Sequence, residues 1–192
     1  MTQLEDALDL LAGKFNDSIM TGLNYRSDYL NQTPEKIASD FLIENKLYKE
    51  PQNGNSGTVR IGSKIFGEQY ILAQMYRFLI SGNTDLKVET KTGLGGTKIC
   101  FDALTNNQID FYPEYTGTAL LVLLKTDAEV IEKLDGNKDA VYQYVKDKMS
   151  RDLQLDWLKP IGFNNSYALM MRREQAQSLH IKTISDLTNH LN

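Results

Sequence analysis

The order of patterns along this chain predicts an α/β fold, and three observations carry the prediction. Between residues 58 and 123, short runs with strand alternation take turns with helical stripes, and glycine-bearing loops separate them. Ahead of this block, apolar stripes within residues 4–47 read as helices. Between the two lies EPQNGNSG, residues 50–57, which has nothing to bury and reads as a linker.

Taken in order, Leu4, Ala7, Leu8, Leu10, Leu11 and Phe15 recur at three- and four-residue steps, and Gly13 supplies a helix stop. DSIMTGLNYRSDYLNQ reads as a short helix and turn. Thr33-Pro34-Glu35 then joins an N-cap threonine, a proline at the first helical position and an acid in the first turn. Ile37, Ala38, Phe41, Leu42 and Leu47 form the buried face of that helix. A short strand over 58–61 feeds the turn GSKIFGEQ, and Gln69, Tyr70, Leu72, Ala73, Met75 and Tyr76 continue as a helix ending before Gly82. A strand over 86–89 leads to TGLGGT, whose glycines allow positive φ or close approach, with Ile99, Ala103 and Leu104 as the helical stripe behind it. Ile109 and Phe111 alternate as a strand, Pro113 stops its ladder, and Tyr115 to Thr118 form an aromatic, hydroxyl-rich turn. From Thr126 the chain is helical and charged, with a break at Asp135-Gly136. The polar loop GFNNS leads into a strand over 167–171, and REQAQSL and TISDLTNHL give two last short helices.

Sheets of this kind bind ligands at the carboxyl ends of their strands, so the loops at 63–68, 93–97 and 115–118 are expected to face one point. Composition narrows what they do. With 41% hydrophobic and 24% charged residues the chain can bury a core, and a net charge of −4 without a basic cluster points away from nucleic acid. The single cysteine, Cys100, lies among apolar residues and reads as core rather than nucleophile. His180 and His190 have no partners at metal-ligand spacing, and no cofactor fingerprint is present: TGLGGT has neither P-loop nor dinucleotide spacing. Asp110 and Glu114 could be an acid/base pair and Ser63-Lys64 a nucleophile and base, but structural roles fit both better. No apolar run has the length of a membrane span, and the acidic start is unlike a signal peptide. Tyr112, Tyr115 and Tyr167 sit at strand ends or loop edges, and three rings near shared loops form an arrangement suited to a quaternary ammonium ion.

Four motifs, GSKIFGEQYILAQM, KTGLGGTKICFDAL, IDFYPEYTGTAL and WLKPIGFNNSYALMMR, in this order and spacing, closely resemble the substrate-binding proteins of ABC importers for glycine betaine, choline and carnitine. The resemblance covers residues 59–187 and implies a two-lobed, type II periplasmic-binding-protein fold that closes on its ligand, with no catalysis. It implies that Tyr115 and Tyr167 are walls of an aromatic cage, that Lys64 and Thr118 make polar contacts to a ligand carboxylate or between closed lobes, and that the Asn165 carbonyl faces the cation. It also implies an ABC permease as partner, at the extracytoplasmic face of the membrane or in the periplasm. The rival readings are an enzyme on the same scaffold and the effector-sensing domain of a transcription regulator, the latter disfavoured because residues 4–47 hold no basic recognition helix.

Residues 1–49 resemble the C-terminal end of the same proteins, although here they come first, as in a circularly permuted fragment or at the junction of two tandem binding domains, the first ending near Lys49 and the second beginning near Thr58. The expected organisation is therefore a helical tail at 1–49, the linker at 50–57, a nearly complete first lobe at 58–125 in permuted order, and inter-lobe helices with a truncated second lobe at 126–192. A family segment of about a hundred residues, with further cage aromatics, has no counterpart in this order. The tail is expected to pack on its own chain, with a swapped dimer as the alternative, and exposed apolar edges in the second lobe are expected to favour self-association.

Overall fold

The computed structural model describes residues 3–134, 136–166 and 168–191. Three helices come first: α1 (Gln3–Asp9), α2 (Asp17–Asp28) and α3 (Pro34–Glu44). Then follow β1 (Thr58–Lys64), α4 (Gly67–Asn83), β2 (Lys87–Gly95) and α5 (Thr97–Thr105). α6 (Thr116–Thr118) runs into a π-helical turn at Ala119–Leu123, and α7 (Ala128–Leu134), α8 (Lys138–Leu153), α9 (Arg173–Ser178) and α10 (Ile184–Leu191) complete the chain.

The caps follow from side-chain chemistry. Asn16 Oδ1 accepts from Ile19 N at 2.9 Å, and Thr33 Oγ1 accepts from Lys36 N at 3.2 Å ahead of Pro34. Each such cap satisfies an otherwise orphaned helix N–H, worth about 1 kcal/mol.

β1 and β2 pair in parallel from Thr58 opposite Lys87 to Gly62 opposite Lys91, with a register irregularity before Lys64 meets Gly95. On the other side of β1, Ile61 bridges Phe111 in parallel, and Gly62 N donates to Phe111 O at 2.9 Å. All three chains therefore run the same way, and their carboxyl ends finish together at Lys64, Gly95 and Tyr112.

α4 is the centre of the packing because it is apolar on two faces. Ile71, Leu72, Met75, Phe78 and Leu79 share one core with Leu11, Phe15, Met20, Leu23, Ile37, Phe41 and Leu42 of the leading segment. Ala73 and Ile80 share another with Leu8, Val59 and Ile61. A side chain such as Leu72, fully withdrawn from water, contributes about 1.5–3 kcal/mol, so each face alone would hold the helix. A third cluster, Ala119, Leu120, Val145 and Met149, joins the π-turn to α8.

Residues 50–57 have no regular structure but are tied down. Gln52 N donates to Ser81 O at 2.7 Å, and Asn55 N and Ser56 Oγ both donate to the Asp85 carboxylate, which these bonds hold below its ordinary pKa. At the other end of the chain, Gly13 N donates to Pro160 O at 3.0 Å and Phe15 N to Ile161 O at 2.9 Å, fastening the 160–161 segment to the leading one.

Several expectations need correction. β1 runs on from Ile61 to Lys64, and β2 runs through the glycine stretch to Gly95, because each supplies the other with a partner. α1 stops at Asp9, and Leu11 and Phe15 are buried from the turn that follows, where Gly13 has φ +66°. Ile99 faces solvent, 54% exposed, while its neighbour Cys100 is buried with Ala103. Of the strand expected at 167–171, Tyr167 lies outside the described residues and residues 168–171 are not a strand; no described strand lies beside them to complete a ladder, and Met170 is 94% exposed. The break between α7 and α8 is where expected, with Asp135 itself outside the described residues.

Candidate functional site

The three loops do converge at the carboxyl ends of the strands. Gly93 N donates to Ser63 Oγ at 3.0 Å, Ile65 N donates to Gly95 O at 3.3 Å, and Lys64 reaches across to Glu114 and Tyr115. Gly93 holds φ +71°, and a Cβ there would stand 3.0 Å from the Tyr70 hydroxyl, so glycine is required for this approach.

Lys64 and Glu114 form a buried ion pair, with side chains 2% and 4% exposed. The Glu114 carboxylate is further satisfied by Tyr115 N at 2.8 Å and by the Tyr112 hydroxyl at 3.0 Å. Burial, reinforced by the Glu114 charge, pushes the Tyr112 phenol well above its ordinary pKa, so it stays a donor. The Lys64 ammonium also lies 4.8 Å from the centre of the Tyr115 ring, a cation–π contact inside the protein.

Tyr115 is fixed from its other end by Glu68, in the first turn of α4. The phenol donates to the Glu68 carboxylate and accepts from Gln69 Nε2 at 3.0 Å, while Gln69 Oε1 accepts from Lys64 N at 3.3 Å. Asn165 Nδ2 donates to Glu68 at 2.5 Å, and Asn24 Nδ2 of α2 donates to its other oxygen at 3.3 Å. Glu68 is 8% exposed, and Tyr115, Asn165 and Asn24 bring three separate parts of the chain onto it. Burial first and the bond to Glu68 second raise the Tyr115 pKa well above its ordinary value. Phe163 completes the surroundings, edge-on to Tyr115 at 6.3 Å and 6.2 Å from Phe15.

Of the residues expected to form the site, the structure brings Lys64, Tyr115 and Asn165 into one connected network. Thr118 lies one turn further on in α6, and its side chain makes no hydrogen bond among the described residues. Tyr167 lies outside the described residues. Asp110 and Glu114 are not a pair: Asp110 binds Arg60, with Nη2 to Oδ1 at 2.7 Å, and that guanidinium holds the Asp110 carboxyl below its ordinary range. Cys100 is buried, and desolvation raises its thiol pKa, as befits a core residue.

Sequence reasoning missed Glu68, Asn24 and Phe163. An acid in a helix's first turn is ordinary dipole chemistry and carries no signal of its own. Asn24 comes from a helix remote in sequence, and Phe163 sat within a loop that reads as polar.

A cavity of about 220 Å³ opens beside this network, lined by Glu68, Asn24, Asn165, Phe163 and Asp17 among others, and among the described residues no lysine or arginine lines it. A larger one of about 550 Å³ lies between α1, residues 110–114 and residues 154–161; it includes Trp157, Tyr76, Phe111, Tyr112 and Glu114 but not Glu68 or Asn165, and neither Lys64 nor Tyr115 lines either cavity. The smaller cavity is the candidate site because it adjoins the polar groups that converge. Among the described residues no cluster of His, Cys, Asp or Glu could hold a metal ion, and no helix is long and apolar enough to cross a membrane.

Residues 57–192 match the family described as "Substrate binding domain of ABC-type glycine betaine transport system". The chain is 43% identical over 135 residues to a glycine-betaine-binding protein of Pseudomonas aeruginosa, covering 70% of this chain and 40% of that protein. It is 31% identical over 151 residues to an ergothioneine transport permease/ergothioneine binding protein of Helicobacter pylori, covering 78% of this chain and 26% of that one. Its identity to a carnitine transport binding protein of Listeria monocytogenes is 30% over 131 residues, 68% of this chain and 41% of that protein. The chain thus spans well under half the length of these relatives.

Proposed function

This chain belongs to the family of substrate-binding domains of ABC-type glycine betaine transport systems, a family of binding proteins and not of enzymes, and from that premise we propose that it captures quaternary ammonium solutes for import. The observation that carries the reading is the Tyr115 ring, held at the carboxyl ends of three parallel chain segments by Lys64 on its face and Glu68 at its hydroxyl. Tyr115 and Tyr167 act as walls of a cage for a trimethylammonium group, the Asn165 carbonyl faces the cation, and Lys64 and Thr118 make polar contacts to a ligand carboxylate or between the closed lobes. A trimethylammonium ion has no proton to donate, so ring faces and carbonyl oxygens replace its hydration shell. Glycine betaine, choline and carnitine share that group.

In this proposal the ligand lies between two lobes of a type II periplasmic-binding-protein fold, and the partner is an ABC permease at the extracytoplasmic face. Residues 1–49 take the place of the tail that ends the family's chains. In support, Phe41 and Leu42 share a core with Leu72 and Met75 of α4 in the same chain. Ligand titration tests the cage: choline, carnitine and glycine betaine are expected to bind saturably, and Tyr115→Ala to abolish that binding. Unchanged affinity in the variant would overturn the cage.

A further inference from the structure

We infer that Glu68 makes this site select its ligand by charge, favouring a quaternary ammonium monocation without a carboxylate over a trimethylammonium zwitterion. The inference rests on the reading of the site above, and it begins from a count of the charges on the Tyr115 network, of which Glu68 alone, with Asp17 beside it, lines the cavity. Lys64 is the one cation at Tyr115 among the described residues, and its charge is cancelled by Glu114 in a buried pair. Glu114 in turn is held by two further donors, Tyr115 N and the Tyr112 hydroxyl, which keep the pair closed. Among the described residues Glu68 has no such counter-ion: its partners Tyr115, Asn165 and Asn24 are all neutral. Asp17, which also lines the cavity, adds a second carboxylate, whose Oδ1 accepts from Asn164 N at 2.8 Å.

The neutral groups point the same way. The Asn24 and Asn165 amides both turn an N–H towards Glu68, and Asn24 Oδ1 is buried with no hydrogen-bond partner. A buried carbonyl oxygen without a donor is costly, and a cation placed against it relieves that cost. A ligand carboxylate in the same place would meet two carboxylates and a carbonyl oxygen, with no lysine or arginine among the described residues that line the space. At such distances one uncompensated charge outweighs the difference between a hydroxyl and a carboxylate as hydrogen-bonding groups.

Choline and glycine betaine are the matched probes, since they share the trimethylammonium group and differ in a hydroxymethyl against a carboxylate. In titrations of the full chain followed by NMR, choline is expected to bind about tenfold tighter than glycine betaine. Its affinity is expected to weaken as salt is raised while that of glycine betaine holds. Glu68→Gln, which is isosteric, is expected to bring the ratio close to one; a general structural lesion would weaken both ligands and leave the ratio standing. Glycine betaine binding as tightly as choline to the wild-type chain overturns the inference, whatever the variant does, and so does an unchanged ratio in Glu68→Gln. Binding of neither ligand to the wild-type chain overturns the reading of the site itself, and the inference with it.

Discussion

At the scale of single residues, the Lys64–Glu114 pair makes the sharpest demand. Replacing Lys64 by Met leaves a buried carboxylate without its counter-ion, a loss of roughly 3–5 kcal/mol, whereas Lys64→Met combined with Glu114→Gln restores most of it. Chemical denaturation of the single and double variants measures both. Asp110 makes a prediction about acid. Arg60 depresses its pKa below the ordinary 3.8 in the folded chain, so the bond's stabilisation is complete above that value and is lost as pH falls through the lower, folded one. Denaturation at a series of acid pH values should show a component that Asp110→Asn lacks; the pair is partly exposed, so that component is small. Site residues were legible only where a side chain and its role lie together in one motif. Tyr115 stands out because an aromatic beside a glycine turn can present its ring face, whereas Asn165 enters only through the resemblance of its motif. Glu68 did not, because its function comes from Asn24, 44 residues away, and Asn165, 97 residues away.

At the scale of elements, periodicity carried the helices well. α3 is capped by Thr33, starts on Pro34 and buries Ile37, Ala38, Phe41 and Leu42, all readable from spacing and caps. Strand lengths were less legible, since a strand ends where its partner ends, and the partner of β1 lies across the whole of α4. The joint between the chain's two ends was not legible at all. It rests on backbone bonds from Gly13 and Phe15 to residues 160 and 161, which no side-chain pattern announces. Gly162 tests that joint: it holds φ +118°, and a Cβ there would stand 2.4 Å from Phe15 O. Gly162→Ala is therefore expected to detach this segment, seen as faster hydrogen exchange at the Gly13 and Phe15 amides while α4 stays protected. Phe41→Ala attacks the other face, where Phe41 stacks on Phe15 at 4.9 Å, and is expected to cost about 3–5 kcal/mol in denaturant unfolding.

At the scale of the molecule, the leading helices and the α/β block are one packed body, with α4 between them. Under the proposed function, binding strength follows from what the proposed cage offers. Two rings at about 0.5–2 kcal/mol each supply about 1–4 kcal/mol, whereas micromolar binding needs about 8, so these 192 residues should bind trimethylammonium solutes in the millimolar range. The central claim is the place of binding, and one measurement tests it directly: titration of the isotopically labelled chain with choline and glycine betaine, followed residue by residue by NMR. The account predicts that the amides of Glu68, Tyr115 and Asn165 shift together and saturate, while the indole of Trp157, the chain's single tryptophan, stays in place beside the larger cavity. Shifts that gather at Trp157 and Phe101 and leave Tyr115 silent would contradict it.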